Sequence, residues 1–431
     1  MKSRILLLVA LSLSFLVSAQ ETVQSIDLET CLQLGGANNL TIQEYKQKQE
    51  LALADLASAK EWWLPEVYAG IQLHQLWGKA MNGNGLFFED VNRQNFWGGL
   101  GFNASWDFGK GIYTKQAAEL KAEAAQYDSQ TAQNKAILNI LETYYDFMVS
   151  QLYADAYAQL ANQSDTIAAQ MQVQVDAGMR YESEALLAHS NTNHLKIEQL
   201  NTRMELITQS AKLMELLNLS SSMKLVATDS VLVPLRLTDA TAVSTLDFSS
   251  VYESRPELKS AELSLQALTT EKKSFTTGLL LPELRLGSYG SYFGDVVYNL
   301  DPTSQINGSL MWRVPLGQLI YKGDKKRFDS KIALQRTSIL QTKAHISAEI
   351  TCLREQINIA QMQINIAKEA STLAQEALSQ CIQRQALGLV NPLEIMQAQE
   401  IFIESKLDHL QAVAAYNKAS YGLVVAMGGN L

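Results

Sequence analysis

The sequence has 431 residues, a formal net charge of −9, 47% hydrophobic residues and three cysteines. This acidic balance argues against nucleic acid as a partner, which would need a net excess of cations to neutralise phosphates. Length alone would suggest two or three domains, and Cys31, Cys352 and Cys381, odd in number and inside helical segments, read as unpaired packed thiols rather than a disulfide framework.

In chain order, residues 1–19 read as a secretory signal peptide: Met1, Lys2 and Arg4, an apolar run from Ile5 to Val17, then Ser18, Ala19 and Gln20. The run of about 13 residues is short for a bilayer, and no later stretch reaches the roughly 18 apolar residues of a membrane helix. The expectation is a mature chain without a transmembrane helix and, with no cysteine directly after the cleavage point, without a lipid anchor.

The remainder reads as two copies of one plan, residues 20–219 and 240–431, joined by a linker over 220–239. The first copy has a helix from about Leu28 to Trp62 ending at Pro65, strands over 67–77 and 95–108, a long helix over 110–177 and a helix over 182–217. The second has a helix from about Pro256 to Phe275 ending near Pro282, strands over 283–293 and 304–314, a long helix over 323–387 and a helix over 392–428. Proline cannot donate inside a helix and restricts the residue before it, so each opening helix stops where a strand can begin. Gly178, Glu184 and Ala188 recur 210 positions later as Gly388, Glu394 and Ala398, and Leu64-Pro65 recurs as Leu281-Pro282.

The strands alternate with period two. Val67, Ala69, Ile71 and Leu73 oppose Tyr68, Gly70, Gln72 and His74; Phe96, Leu100, Phe102, Ala104, Trp106 and Phe108 oppose Asn95, Asn103, Ser105 and Asp107; Ile306, Leu310, Trp312 and Val314 oppose Asn307, Ser309 and Arg313. Their period alone also fits a soluble sandwich. Their length suits a tilted membrane crossing, and Trp77, Phe96, Trp97, Trp106 and Trp312 fall toward their ends like an aromatic girdle. Four strands cannot close a barrel, and open edges in lipid are prohibitive, so a membrane sheet of this size requires several chains.

Each long helix would extend about 100 Å at 1.5 Å per residue. Ile346, Ile350, Leu353, Ile357, Ala360, Ile364 and Ala367, and likewise Leu138, Leu141, Tyr145, Met148 and Leu152, carry the mixed three and four spacing of coiled-coil seams. The two shorter helices of the first copy, about 35 residues from Asp27 and about 36 from Glu182, would match one long helix if stacked end to end.

These residues resemble the TolC-like outer-membrane efflux proteins over nearly the whole mature length. Trp106-Asp107-Phe108-Gly109-Lys110-Gly111, and Val314-Pro315-Leu316 through Lys322-Gly323, look like the family's strand-to-helix junctions. Gly388-Leu389-Val390-Asn391-Pro392-Leu393-Glu394-Ile395-Met396-Gln397-Ala398-Gln399 is similar to its helix-tip turn. The resemblance implies a homotrimer of α plus membrane β-barrel class. Four strands per chain would make a 12-stranded barrel in the outer membrane of a Gram-negative bacterium, continued by an antiparallel α-helical coiled-coil tunnel through the periplasm. It further implies a passive duct for efflux or type I secretion, without cofactor, contacting outer-membrane lipid. The turns at Gly178, Arg180, Tyr181, Gly388, Asn391 and Pro392 would meet a periplasmic adaptor (membrane fusion protein), and an inner-membrane pump of RND or ABC type would supply the energy.

The resemblance also places a pore constriction at Glu184 and Glu394, whose clustered carboxylates would attract cations and raise one another's pKa. The same residues also read as helix-start glutamates favoured by the helix dipole. The family pattern is broken where a second acid is Gln397 and where the Tyr and Arg of a tip latch are Gln385 and Val390, which leaves Arg180 and Tyr181 in the other turn as candidates to serve instead. The histidines at 74, 189, 194, 345 and 409 form no metal motif, and no phosphate loop, nucleophile elbow or dinucleotide fingerprint is present, so no enzyme is expected. The competing reading is a soluble periplasmic coiled-coil scaffold.

Overall fold

The computed structural model describes residues 22–220, 223–228, 231–235, 248–295 and 299–429; the signal-peptide reading falls outside them. Strand β1 (Thr22–Ile26) precedes helices α1 (Leu28–Asn38) and α2 (Leu40–Lys60), and a 3-10 turn (Glu61–Trp63) leads to Pro65. The single helix expected here is broken at Asn39. Its Oδ1 accepts from the N–H groups of Thr41 and Ile42 at 3.0 and 3.2 Å, and its Nδ2 donates to the Leu216 carbonyl at 2.8 Å. An asparagine that caps one helix and ties down the end of another leaves the helical conformation to do so.

Strands β2 (Glu66–Met81) and β3 (Phe87–Asp107) form one hairpin. Both run further than periodicity indicates, because the Asn82 carboxamide accepts from the N–H groups of Asn84 and Leu86 and closes a short turn in place of a long loop. The 69-residue α3 (Phe108–Asp176) and then α4 (Glu182–Leu216) follow.

The stretch expected to be a linker carries β4 (Met223–Ala227), which pairs in parallel with β1 from Thr22↔Met223 to Ile26↔Ala227. Five residues are too few to display an alternation. The Gln151 side chain bonds the Ala227 main chain on both sides, accepting from its N–H at 2.9 Å and donating to its carbonyl at 3.2 Å.

In the second copy, α5 (Phe248–Ser254), α6 (Pro256–Ser274) and a 3-10 turn (Thr277–Leu280) lead to β5 (Glu283–Asp295) and β6 (Asn299–Met311). Strand β6 was expected to reach 314. It stops at Met311 because its partner starts at Glu283, directly after Pro282, and offers nothing further to pair with. A six-residue helix, α7 (Leu316–Tyr321), then turns through Lys322 in the left-handed region (φ 52°) into the 64-residue α8 (Gly323–Ala386), and α9 (Pro392–Ala426) completes the described chain.

The chain forms two compact units, each assembled from separated segments. The first comprises Met1–Tyr45, Gln130–Arg255 and Lys343–Leu431. Here the seam residues Leu141, Tyr145, Met148, Ile346, Ile350 and Ile357 are buried. Two hydrophobic clusters, one around Leu160, Leu195, Leu378 and Ile403 and one around Met171, Ala188, Val390 and Ile395, draw on the long helices and on α4 and α9. A polar layer lies between them in sequence on α3, α4 and α9: Ser164 and Thr192 hydroxyls 2.9 Å apart, and Asn191 Nδ2 donating to Gln399 Oε1 at 2.9 Å. Cys31 is buried, and desolvation, with Asp27 nearby, pushes its thiol up to about 12. Cys352 is exposed, contrary to the expectation of a packed thiol, because the seam uses positions 350 and 353 and leaves 352 off it.

The second unit comprises Lys46–Ser129 and Pro256–Thr342 and holds the antiparallel four-stranded sheet in the order β2-β3-β5-β6. Gly109 and Gly278 pack backbone to backbone where α3 begins; a Cβ on Gly109 would lie 2.1 Å from the Gly278 carbonyl oxygen.

Candidate functional site

Two features have the chemistry of a site: one face of the sheet, and the paired helix tips. On the sheet, the registers align apolar positions across all four strands. Val67, Ala69, Ile71 and Leu73 of β2 lie opposite Phe102, Leu100, Gly98 and Phe96 of β3; Trp106, Ala104 and Phe102 lie opposite Leu284, Leu286 and Ser288 of β5; and these lie opposite Leu310, Gly308 and Ile306 of β6. Val67, Ile71 and Ile306 are 78%, 75% and 81% exposed, so this part of the apolar face has no cover among the described residues, while Ala104 nearer the helix-bearing end is buried.

From Phe96 to Trp106 the face runs ten residues, about 33 Å along a strand, which at a tilt of about 40° gives a height of about 25 Å, that of a membrane-barrel apolar band. Trp77 and Phe96 lie toward its hairpin end; Trp106 and, just past β6, Trp312 lie at its helix-bearing end. Trp97, grouped with these aromatics by sequence, is on the opposite face, where it packs edge-on to Tyr289 (5.6 Å) and near Tyr68 (6.4 Å). That second face carries Gln72, His74, Asn103, Arg285, Gln305, Asn307 and Ser309.

Within the first unit, the α3–α4 and α8–α9 tips have the same backbone. Gly178 and Gly388 both have φ of +74°, a conformation that favours glycine. Met179 N–H donates to the Gln174 carbonyl (2.8 Å) and Gly178 N–H to Val175 (2.8 Å); Leu389 and Gly388 repeat this onto Arg384 and Gln385 (3.0 and 2.8 Å). This is the Schellman arrangement, which satisfies the last carbonyls of a helix. The following helix starts differ: Asn391 accepts from the Leu393 N–H at 3.1 Å, whereas the Tyr181 side chain makes no cap bond.

The side chains break the symmetry further. Arg180 donates through Nε to Gln174 Oε1 (2.5 Å), through Nη1 to Glu184 (2.6 Å) and through Nη2 to the carbonyl of Val390, its own repeat counterpart (2.9 Å). Gln174 Nε2 adds a bond to the Gln385 carbonyl at 3.3 Å. The Arg180 side chain is only 6% exposed, so one guanidinium fastens the first turn to the second with little water to compete. Val390 is buried beneath it and Gln385 is fully buried, while Tyr181, Asn391 and Gln397 are exposed and Pro392 is buried.

Each tip glutamate therefore has an arginine. Glu184 pairs with Arg180, and Glu394, 51% exposed, lies 3.5 Å from Arg384. Sequence reading named Glu184 and Arg180 separately and missed their union. The available signal was their spacing of four residues across a helix start.

Residues 32–219 match the family described as outer membrane efflux protein. The fold over the rest is that of solved outer-membrane channels.

The Campylobacter jejuni CmeC outer membrane channel is similar at 17% identity and a TM-score of 0.81, with 96% of this chain and 90% of that one covered. VceC from Vibrio cholerae is similar at 14% and 0.77, covering 94% and 96%. The open state of the Neisseria gonorrhoeae MtrE channel is similar at 13% and 0.74, covering 93% and 89%. No curated protein matches the chain.

Proposed function

We propose that three copies close their sheets into one twelve-stranded barrel in the outer membrane and form a passive duct, its helices in the periplasm meeting a periplasmic adaptor that couples it to an inner-membrane pump of RND or ABC type. One observation carries this reading: a continuous apolar face on a four-stranded sheet in which β2 and β6 each have a single neighbour. Unpaired main-chain groups in hydrocarbon have no water to bond, and the smallest bacterial barrels have eight strands, so a lipid-exposed sheet of four must borrow its edges from other copies. The soluble scaffold would instead have to cover those apolar side chains within its own chain, and they are exposed.

The duct carries out no chemistry on its cargo, and its inner lining is the polar face that holds Gln72, Asn103, Gln305 and Asn307. Arg180 holds each pair of tips closed, and Glu184, Glu394 and Gln397 lie at the constriction. Exposed Gly178, Tyr181, Gly388 and Asn391 present the turns to the adaptor; Arg180 and Pro392 support those turns from behind.

Fractionation tests the proposal. The mature protein should require detergent, run as a heat-sensitive oligomer three times the chain mass and conduct ions in a planar bilayer. Recovery as a monomer in the osmotic-shock fraction would refute it.

A further inference from the structure

The two strand-to-helix junctions differ in one respect. In the first, four positions separate Trp106 from Lys110, and the chain passes from β3 into α3 without a break. In the second, ten separate Trp312 from Lys322, and the additional six residues are the length of α7.

Helix α7 is amphipathic. At 100° per residue Leu316, Leu319 and Ile320 share an arc of about 100°, with Gln318 opposite. Gln318 points inward, donating to Asp324 at 3.0 Å and lining a cavity of about 550 Å³ with Gly109, Phe275 and Leu281. Leu316 and Ile320 are 70% and 72% exposed. In sequence they follow the exposed Leu310, Trp312 and Val314, which leave the end of β6. Immediately beyond, residues 322–327 carry Lys322, Lys325, Lys326 and Arg327 against one acid, Asp324, in an otherwise acidic protein.

We propose that α7 and this basic segment form a foot that lies in the membrane interface at the helix-bearing end of the sheet, its leucines and isoleucine among acyl chains and its cations on anionic phospholipid headgroups. The inference rests on the reading that the apolar sheet face meets lipid. The run of exposed apolar residues from β6 into α7 selects a membrane as the occupant, and Lys322, Lys325 and Lys326, beside an Arg327 that lies 3.0 Å from Asp324, select anionic lipid. Apolar anchor and basic cluster are adjacent in the order an interfacial segment needs, and the first junction, which lacks α7, has no counterpart.

The test uses the full chain with its three cysteines replaced by alanine, reconstituted in vesicles with and without phosphatidylglycerol. A nitroxide is placed at Ile320→Cys or, separately, at Ile71→Cys. Both labels are expected to collide with oxygen in preference to a water-soluble nickel chelate. Spin-labelled phosphatidylglycerol is expected to associate in preference to phosphatidylcholine, by up to about fivefold per engaged cation. That preference should vanish when Lys322, Lys325, Lys326 and Arg327 are all changed to Gln, and survive when the three lysines are changed to Arg.

Nickel access at position 320 with oxygen access at 71 would overturn the foot and leave the duct reading intact. Spin–spin broadening at 320 with neither reagent admitted would show that a second copy covers α7, and would overturn it as well. Nickel access at 71 would remove the duct reading and the foot together. A lipid preference unchanged in the Gln variant would end the assignment of the cations.

Discussion

Replacing Arg180 with alanine tests whether one guanidinium fastens the two helix tips. The substitution deletes bonds of 2.5, 2.6 and 2.9 Å to Gln174, Glu184 and the Val390 carbonyl. A buried hydrogen bond to a charged group contributes about 1.5–3 kcal/mol. The bond to Glu184, whose side chain is 28% exposed, is discounted to about 1 kcal/mol or less for solvent screening. Because the three share one donor group and are not additive, local opening should become easier by about 3–5 kcal/mol. At about 1.4 kcal/mol per tenfold, the amides of Gly178, Met179 and Leu389 should exchange with deuterium roughly 10² to 4 × 10³ times faster.

Exchange measured by mass spectrometry on detergent-solubilised protein reads this directly, with peptides from α6 as an internal control. Arg180→Lys restores the charge but not the planar fork, and should recover less than half of the protection. Tip amides in the alanine variant that exchange within about threefold of the native rate would refute the idea that Arg180 holds the tips.

Four further outcomes are expected. Glu394→Gln should reduce cation preference in planar-bilayer recordings, since Glu394 is half exposed and only loosely held by Arg384; unchanged selectivity would remove it from the lining. Ile71→Arg should destabilise the assembled oligomer by about 2–4 kcal/mol, read as loss of heat-resistant oligomer, while Gln72→Arg one residue away should be tolerated. Cys352 should react with maleimide at neutral pH while Cys31, held as thiol by its burial, stays unlabelled until the protein unfolds; equal labelling rates would contradict this. Burial raises the pKa of Glu142 against the lowering influence of Lys418. The folded state therefore favours the protonated form, and ionisation of Glu142 opposes folding above its folded pKa. Glu142→Gln should stabilise the protein at neutral pH, with the gain disappearing as pH falls to the ordinary carboxylate range, as denaturant titrations at several pH values would show.

The parts of the fold visible in the sequence were those whose signal repeats. Period two along Val67–Leu73 and Phe96–Phe108 gave both the strands and the face that lacks cover, and the seam spacing around Ile346–Ile357 gave the buried stripe of a long helix. The 210-residue offset located two tips whose glycines have the same φ.

What remained hidden depended on single contacts between distant residues. The break at Asn39 is set by a carbonyl 177 positions away. Strand β4 is held by β1 and a glutamine, with too few residues of its own to alternate. Trp97 differs from Phe96 only in parity, so counting aromatics near strand ends grouped the two although they point to opposite faces. At the tip, Val390 was judged by its side chain, whereas its contribution is a main-chain carbonyl accepting from Arg180.

The parallel pairing of β1 with β4 bears on the order in which the chain can mature. Thr22 reaches its neighbour Met223 only after about two hundred residues have followed it, so β1 waits for half of the chain before its partner strand exists. Until then five residues of strand edge stay open to capture by chaperones or by other nascent copies. A fusion partner attached ahead of Thr22 would burden that pairing directly, and an affinity tag is better carried at the opposite terminus.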